Sequence, residues 1–106
     1  MKYYDFKAGN ETYKLRLNMR SIVSLEKKLG KNPILVFINK ENNNVPTIEQ
    51  MTLILEAALQ EYHNDVDAYE VFDSWLEDGH IVGEFASTII ELYKLCGLFK
   101  NEEEKN

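Results

Sequence analysis

Long apolar runs, paired cysteines and phosphate-cradling loops are all missing from this chain of 106 residues, and each absence removes a class of protein. The longest uninterrupted apolar stretch is Ile34 to Ile38, five residues, whereas a membrane span needs about 20. No membrane partner is expected. Met1 to Lys7 lacks the apolar core of a secretion signal. Cys96 stands alone, so no internal disulfide can form, and a reducing, cytoplasmic setting is expected. Prolines number two and glycines five; Gly30, Pro33, Gly79 and Gly97 fall where helices should open or close. There is no glycine-rich phosphate loop, no Ser/His/Asp arrangement with a recognisable elbow, and no arginine cluster suited to phosphate. His63, His80 and Cys96 are too few and too irregularly spaced for zinc. His63-Asn64-Asp65-Val66-Asp67 lacks the central glycine and bidentate glutamate of a calcium loop, and its acids more simply begin a helix. No enzyme, cofactor or metal site is expected.

What is present is ordinary globular composition, 44% hydrophobic and 28% charged, in a length that suits one domain with a real core. The charge is unevenly placed. Residues 1–31 hold eight Lys and Arg against three acids, a net +5, and residues 32–106 hold four lysines against fifteen acids, a net −11. Such asymmetry can mark a nucleic-acid face. Here an overall charge of −6 repels phosphate at long range, so no nucleic-acid partner is expected. Solvated faces of opposite sign, or head-to-tail contact between copies, fit the layout better.

Residues 2–7 and 12–17 alternate. Tyr4 and Phe6 share one face, as do Tyr13, Leu15 and Leu17, and Ala8-Gly9-Asn10-Glu11 carries turn chemistry between them. This is a β-hairpin with one face to bury, and two strands alone must pack on something. A helix follows, capped by Asn18 and closed by Gly30, with Ile22, Leu25 and Leu29 in one stripe. Lys27, Lys28 and Lys31 gather where the helix dipole favours positive charge. Asn32-Pro33 favours a short helix over 34–38, against the strand preference of its β-branched residues. Lys40 to Asn44 reads as loop.

Thr47-Ile48-Glu49-Gln50 is a capping box, and the helix it opens places Met51, Ile54, Leu55, Ala58, Leu59 and Tyr62 on one side. Asp67-Ala68-Tyr69-Glu70 is a second box, whose helix groups Ala68, Tyr69, Val71, Phe72, Trp75 and Leu76 and ends at Gly79. The last helix, about Ile81 to Cys96, is the most apolar: Ile81, Val82, Phe85, Ala86, Ile89, Leu92, Tyr93 and Cys96 share a broad face that Ile90 and Leu95 widen. Leu98 and Phe99 should fold back after Gly97. Cys96, on the apolar face near a helix C-terminus, suits a structural role rather than a nucleophile. The pattern predicts one α+β domain over 1–99, an N-terminal two-stranded hairpin on four to five helices, and a mobile polar tail over 100–106. Leu25, Leu55, Leu59, Phe72, Phe85, Ile89 and Leu92 are the predicted core.

Hairpin, Asn18-to-Pro33 helix, Gly79-His80 junction and Tyr93-Lys94-Leu95-Cys96-Gly97-Leu98-Phe99 ending, in that order, resemble a tail assembly chaperone of long-tailed phages and prophages of Gram-positive bacteria. The resemblance spans residues 3 to about 100. It implies a non-enzymatic cytoplasmic protein that coats the tape-measure protein, keeps it soluble, yields to tail-tube subunits and is absent from the mature virion. It also implies many copies, hence a homo-oligomer. Family members are often made in two lengths by a ribosomal slip, and Glu104-Lys105-Asn106 can be encoded by a slippery run. Aromatics dominate interface energetics, so Tyr69 and Trp75 are expected partner anchors, with Phe72, Ile90, Leu95 and Leu98 beside them. A small prophage regulator or adaptor, binding a host protein or nucleic acid, is the alternative. Its only candidate recognition helix is the first, with Arg20, Lys27 and Lys28.

Overall fold

A computed structural model of the chain describes residues 2–100 and has a two-stranded antiparallel hairpin followed by four helices. The elements are β1 (Tyr4–Ala8), β2 (Glu11–Leu15), α1 (Met19–Leu29), α2 (Ile48–Leu59), α3 (Ala68–Glu77) and α4 (Glu84–Cys96), with short 3-10 turns at Pro33–Phe37 and Lys40–Asn42. The expected α+β architecture is therefore present. Residues 101–106, most of the expected polar tail and the slippery Glu104-Lys105-Asn106, lie outside the described residues. Among those described, no helix is long and apolar enough to cross a membrane.

Alternation builds the hairpin. Phe6 pairs with Tyr13 and Tyr4 with Leu15, which leaves Phe6, Ala8 and Leu15 buried on the helix side. Gly9 takes a φ of 65°, the left-handed value a two-residue hairpin turn demands of its first central residue. Three polar contacts pin the hairpin to the helices. The Gly9 N–H donates to Asp78 Oδ2 (2.8 Å), the Lys14 N–H to His63 Nε2 (2.9 Å), and the Arg16 N–H to the Ala58 carbonyl (3.0 Å). Donors at a strand edge and exit are thus satisfied by two different helix ends.

The helix starts follow their caps. Asn18 Oδ1 accepts from the Ser21 N–H (2.8 Å). Thr47 and Gln50 complete a reciprocal box, at 3.1 and 2.8 Å. Asp67 differs from expectation: its carboxylate accepts from Tyr69 N–H (2.9 Å), one position short of Glu70. Either of these two free N–H groups can satisfy an N-cap side chain. Segment 34–38 is helical as expected, but as a 3-10 turn that Pro33 opens and Asn32 caps.

The start of α4 moves inward from Ile81 to Glu84. Residues 81–83 form a turn ahead of the helix, and Glu84 Oε1 accepts from the Ile81 N–H (2.8 Å). Ile81 leaves the expected apolar face and is 69% exposed. Tyr62 likewise falls beyond the end of α2, edge-on to Tyr3 with ring centroids 5.8 Å apart.

All seven predicted core residues are buried. The core has two aromatic clusters. Phe6, Phe72, Trp75 and Phe85 meet with centroids 4.7 to 5.8 Å apart. Phe37, Tyr93 and Phe99 meet at 5.3 to 5.9 Å. The second forms because Gly97, at φ 88°, turns the chain so that the Leu98 and Phe99 N–H groups both donate to the Tyr93 carbonyl. The Tyr93 hydroxyl, itself buried, donates to the Pro33 carbonyl at 3.0 Å.

Candidate functional site

The sequence places six partner-binding candidates on residues 69–98, and the fold separates them. Phe72 and Trp75 face inward and are buried in the first aromatic cluster. Trp75 is further covered by the His80 ring, stacked parallel at 4.4 Å. Its indole fills the protein's own core, so as folded here it offers no surface to a partner. Leu98 is half-buried against the core, and Ile90 and Leu95 are half-buried on α4. Tyr69, expected to share the inner stripe, instead stands out, 68% exposed. It occupies the first turn of a ten-residue helix, where a rotation of about 100° per residue carries it off the face that buries Ala68 and Phe72.

Tyr69 borders a small apolar groove of about 160 Å³ between the start of α2, the outer edge of α3 and the turn before α4. Ile48 from α2, Leu76 from α3 and Val82 from the turn line it with Tyr69, and Phe72 forms part of its wall. Ile48 is 61% exposed, an apolar residue set just after the Thr47 cap. Asp73 also lines the groove, and the exposed Glu49, Glu70 and Glu77 lie on the same two helices. Apolar side chains beside carboxylates make a surface able to take an apolar seam with cations beside it. Periodicity assigns Val82 to the apolar face of the last helix and leaves Ile48 out of any stripe. The signal available for Ile48 was an apolar side chain at a first helical position, where core contact is not required.

A second surface lies on α1. Met19, Arg20, Val23, Ser24 and Lys27 border a broad shallow hollow of about 560 Å³. Met19 is 72% and Val23 44% exposed, because α1 turns Leu25 toward the core and these residues away from it.

The titratable groups serve the architecture. Glu61 Oε1 accepts from Asn18 Nδ2 (2.8 Å) and from the Arg16 guanidinium (2.7 Å). These bonds, Asn18's first and then Arg16's, hold its carboxyl below the usual carboxylate range. Cys96 Sγ accepts from the Leu17 N–H at 3.3 Å. Burial pushes its thiol up from the ordinary value, which makes it a poor nucleophile. His63 closes the hairpin edge and His80 shields Trp75, so both imidazoles act in packing. Among the described residues no group of three or more His, Cys, Asp or Glu is placed to hold a metal ion.

Residues 4–106 match DUF6096, a family of unknown function. The chain belongs to this family. No curated protein and no solved structure matches it. The matched residues include both the α3 groove and the α1 surface.

Proposed function

We propose that the chain is a non-enzymatic tail assembly chaperone, acting in the cytoplasm of a bacterium that carries the phage or prophage. It covers an apolar seam of the tape-measure protein, keeps that protein soluble, and gives way to tail-tube subunits as the tube closes. A very long helical protein with exposed apolar seams aggregates unless those seams are covered. A small partner suited to this needs an accessible apolar groove and an acidic exterior that keeps the complex in solution.

The observation that carries the reading is the groove at the outer edge of α3. Tyr69 and Ile48 stand exposed beside it, Leu76 and Val82 line it, and Asp73 supplies a carboxylate. An amphipathic client helix would set its apolar stripe against Tyr69 and Ile48 and its basic flanks against the carboxylates. Co-expression with the tape-measure protein encoded alongside tests this. Soluble yield of the tape-measure protein should rise in the presence of the chain, and an unchanged yield would contradict the proposal.

The adaptor reading draws on the exposed cations of α1 instead. It requires binding to nucleic acid or a host protein that reversing the charge of Arg20 and Lys27 abolishes, and that leaves the α3 groove uninvolved.

A further inference from the structure

Several cations of this molecule have partners. Arg16 pairs with Glu61 at 2.7 Å, Lys28 with Glu56 at 3.2 Å, and Lys94 with Glu91 at 3.7 Å. Arg20, Lys27 and Lys31 do not: none has a hydrogen bond or ion pair to a described residue. Arg20 and Lys27 flank the exposed Met19 and Val23, which follow one another at a four-residue interval along one stripe of α1. The groove has the opposite charge and the same deficit. Glu49, Glu70, Asp73 and Glu77 are exposed on α2 and α3, and none is paired among the described residues. Each surface thus combines protruding apolar side chains with unpaired charge of a single sign.

One copy cannot bring the two together. Helices α1 and α3 each pack on α2, and they have little contact with each other. We infer that the α1 face of one copy docks into the α3 groove of a second copy. Met19, unbranched and adaptable, and Val23 fill the space between Tyr69, Ile48 and Val82, and Arg20 and Lys27 meet Asp73 and Glu77. Because the two surfaces differ, the contact is heterologous. Each added copy leaves a fresh α1 face at one end and a fresh groove at the other, so association runs on into a chain or ring. The inference rests on the groove of the chaperone reading and adds its occupant in the absence of a client: neighbouring copy and client compete for one site.

Sedimentation velocity over a concentration series, at low and high salt, tests it on the whole chain. The unaltered protein should associate with rising concentration, more weakly at high salt. R20E/K27E and D73K/E77K should each weaken association by on the order of a hundredfold, because like charges then face each other across the contact. All four substitutions in one chain should restore association, because each cation and its acid have exchanged places. All four positions are exposed, and circular dichroism checks that each variant is folded. A strictly monomeric unaltered protein, unchanged association of D73K/E77K, or a monomeric fourfold variant would each overturn the inference. The chaperone reading is tested apart from it. R20E/K27E keeps the groove intact and should still raise the soluble yield of the tape-measure protein, whether or not copies associate.

Discussion

On its inner edge α3 carries Phe72 and Trp75, buried against Phe6 and Phe85 with Trp75 shielded by the His80 ring. On its outer edge it carries Tyr69, 68% exposed beside an apolar groove. The same helix therefore uses aromatic residues in two ways. Inside, a ring has partners on every side, and its removal leaves a void. Outside, the ring has partners on one side only, and the remaining apolar face is available to another molecule. Aromatic content by itself does not separate a core residue from an anchor; the number of elements that close over the ring does.

The largest effects should fall on the inner edge. Trp75→Ala removes a ring in contact with four others and should cost about 3–5 kcal/mol of stability, read as a lower midpoint in urea unfolding. Loss of no more than about 0.5 kcal/mol, the usual limit for a surface position, would erase the contrast. Leu59→Ala and Ile89→Ala, at fully buried aliphatic sites, should cost about 2–5 kcal/mol.

Tyr93 sharpens the comparison, because it is an aromatic whose polar end is also enclosed. Tyr93→Phe leaves the Pro33 carbonyl without its donor and should cost about 1–3 kcal/mol. Burial pushes the Tyr93 hydroxyl well above the usual phenol range, because the phenolate would lose its hydration. The sign follows by linkage. Below about pH 10, the ordinary phenol value, the group is neutral folded or unfolded and its contribution to stability is complete. Above that value the unfolded chain loses the proton first, so stability falls as pH rises. Urea midpoints measured on either side of pH 10 should show a drop that Tyr93→Phe reduces.

Smaller effects belong to the caps and the surface. Asn18→Ala removes the cap of α1 and a donor to Glu61, at a cost of about 0.5–2 kcal/mol in urea unfolding. In the folded protein Cys96 should react slowly with an alkylating reagent at neutral pH and quickly once unfolded, because its thiol is raised by burial. Equal rates in both states would contradict its placement.

Much of the fold was legible because its signals are local. Alternation from Tyr4 to Leu17, the Asn18, Asn32 and Thr47 caps, and the Gly30 and Gly97 stops each act within one turn of chain. The core stripe of α2 and α4 followed from periodicity. The edges of elements were less readable. Ile81 and Val82 continue the apolar period of α4, yet Ile81 to Gly83 form a turn and the helix begins only at Glu84. Tyr69 matches the broad inner stripe by composition, but it sits about 100° round the helix from the buried Ala68, which carries it outward. The groove itself could not be read along the chain. Ile48, Tyr69 and Val82 lie on three separate segments, and only the packing of α2 against α3 assembles them.

The measurement that bears most directly on the account is a paired one on Tyr69→Ser, comparing urea midpoint and soluble yield of the co-expressed tape-measure protein with those of the unaltered chain. An exposed ring that serves as an anchor predicts a stability, read from the midpoint, within about 0.5 kcal/mol of the original, together with loss of most of the gain in soluble tape-measure protein. A large fall in stability, or a yield that Tyr69→Ser leaves unchanged, would contradict it.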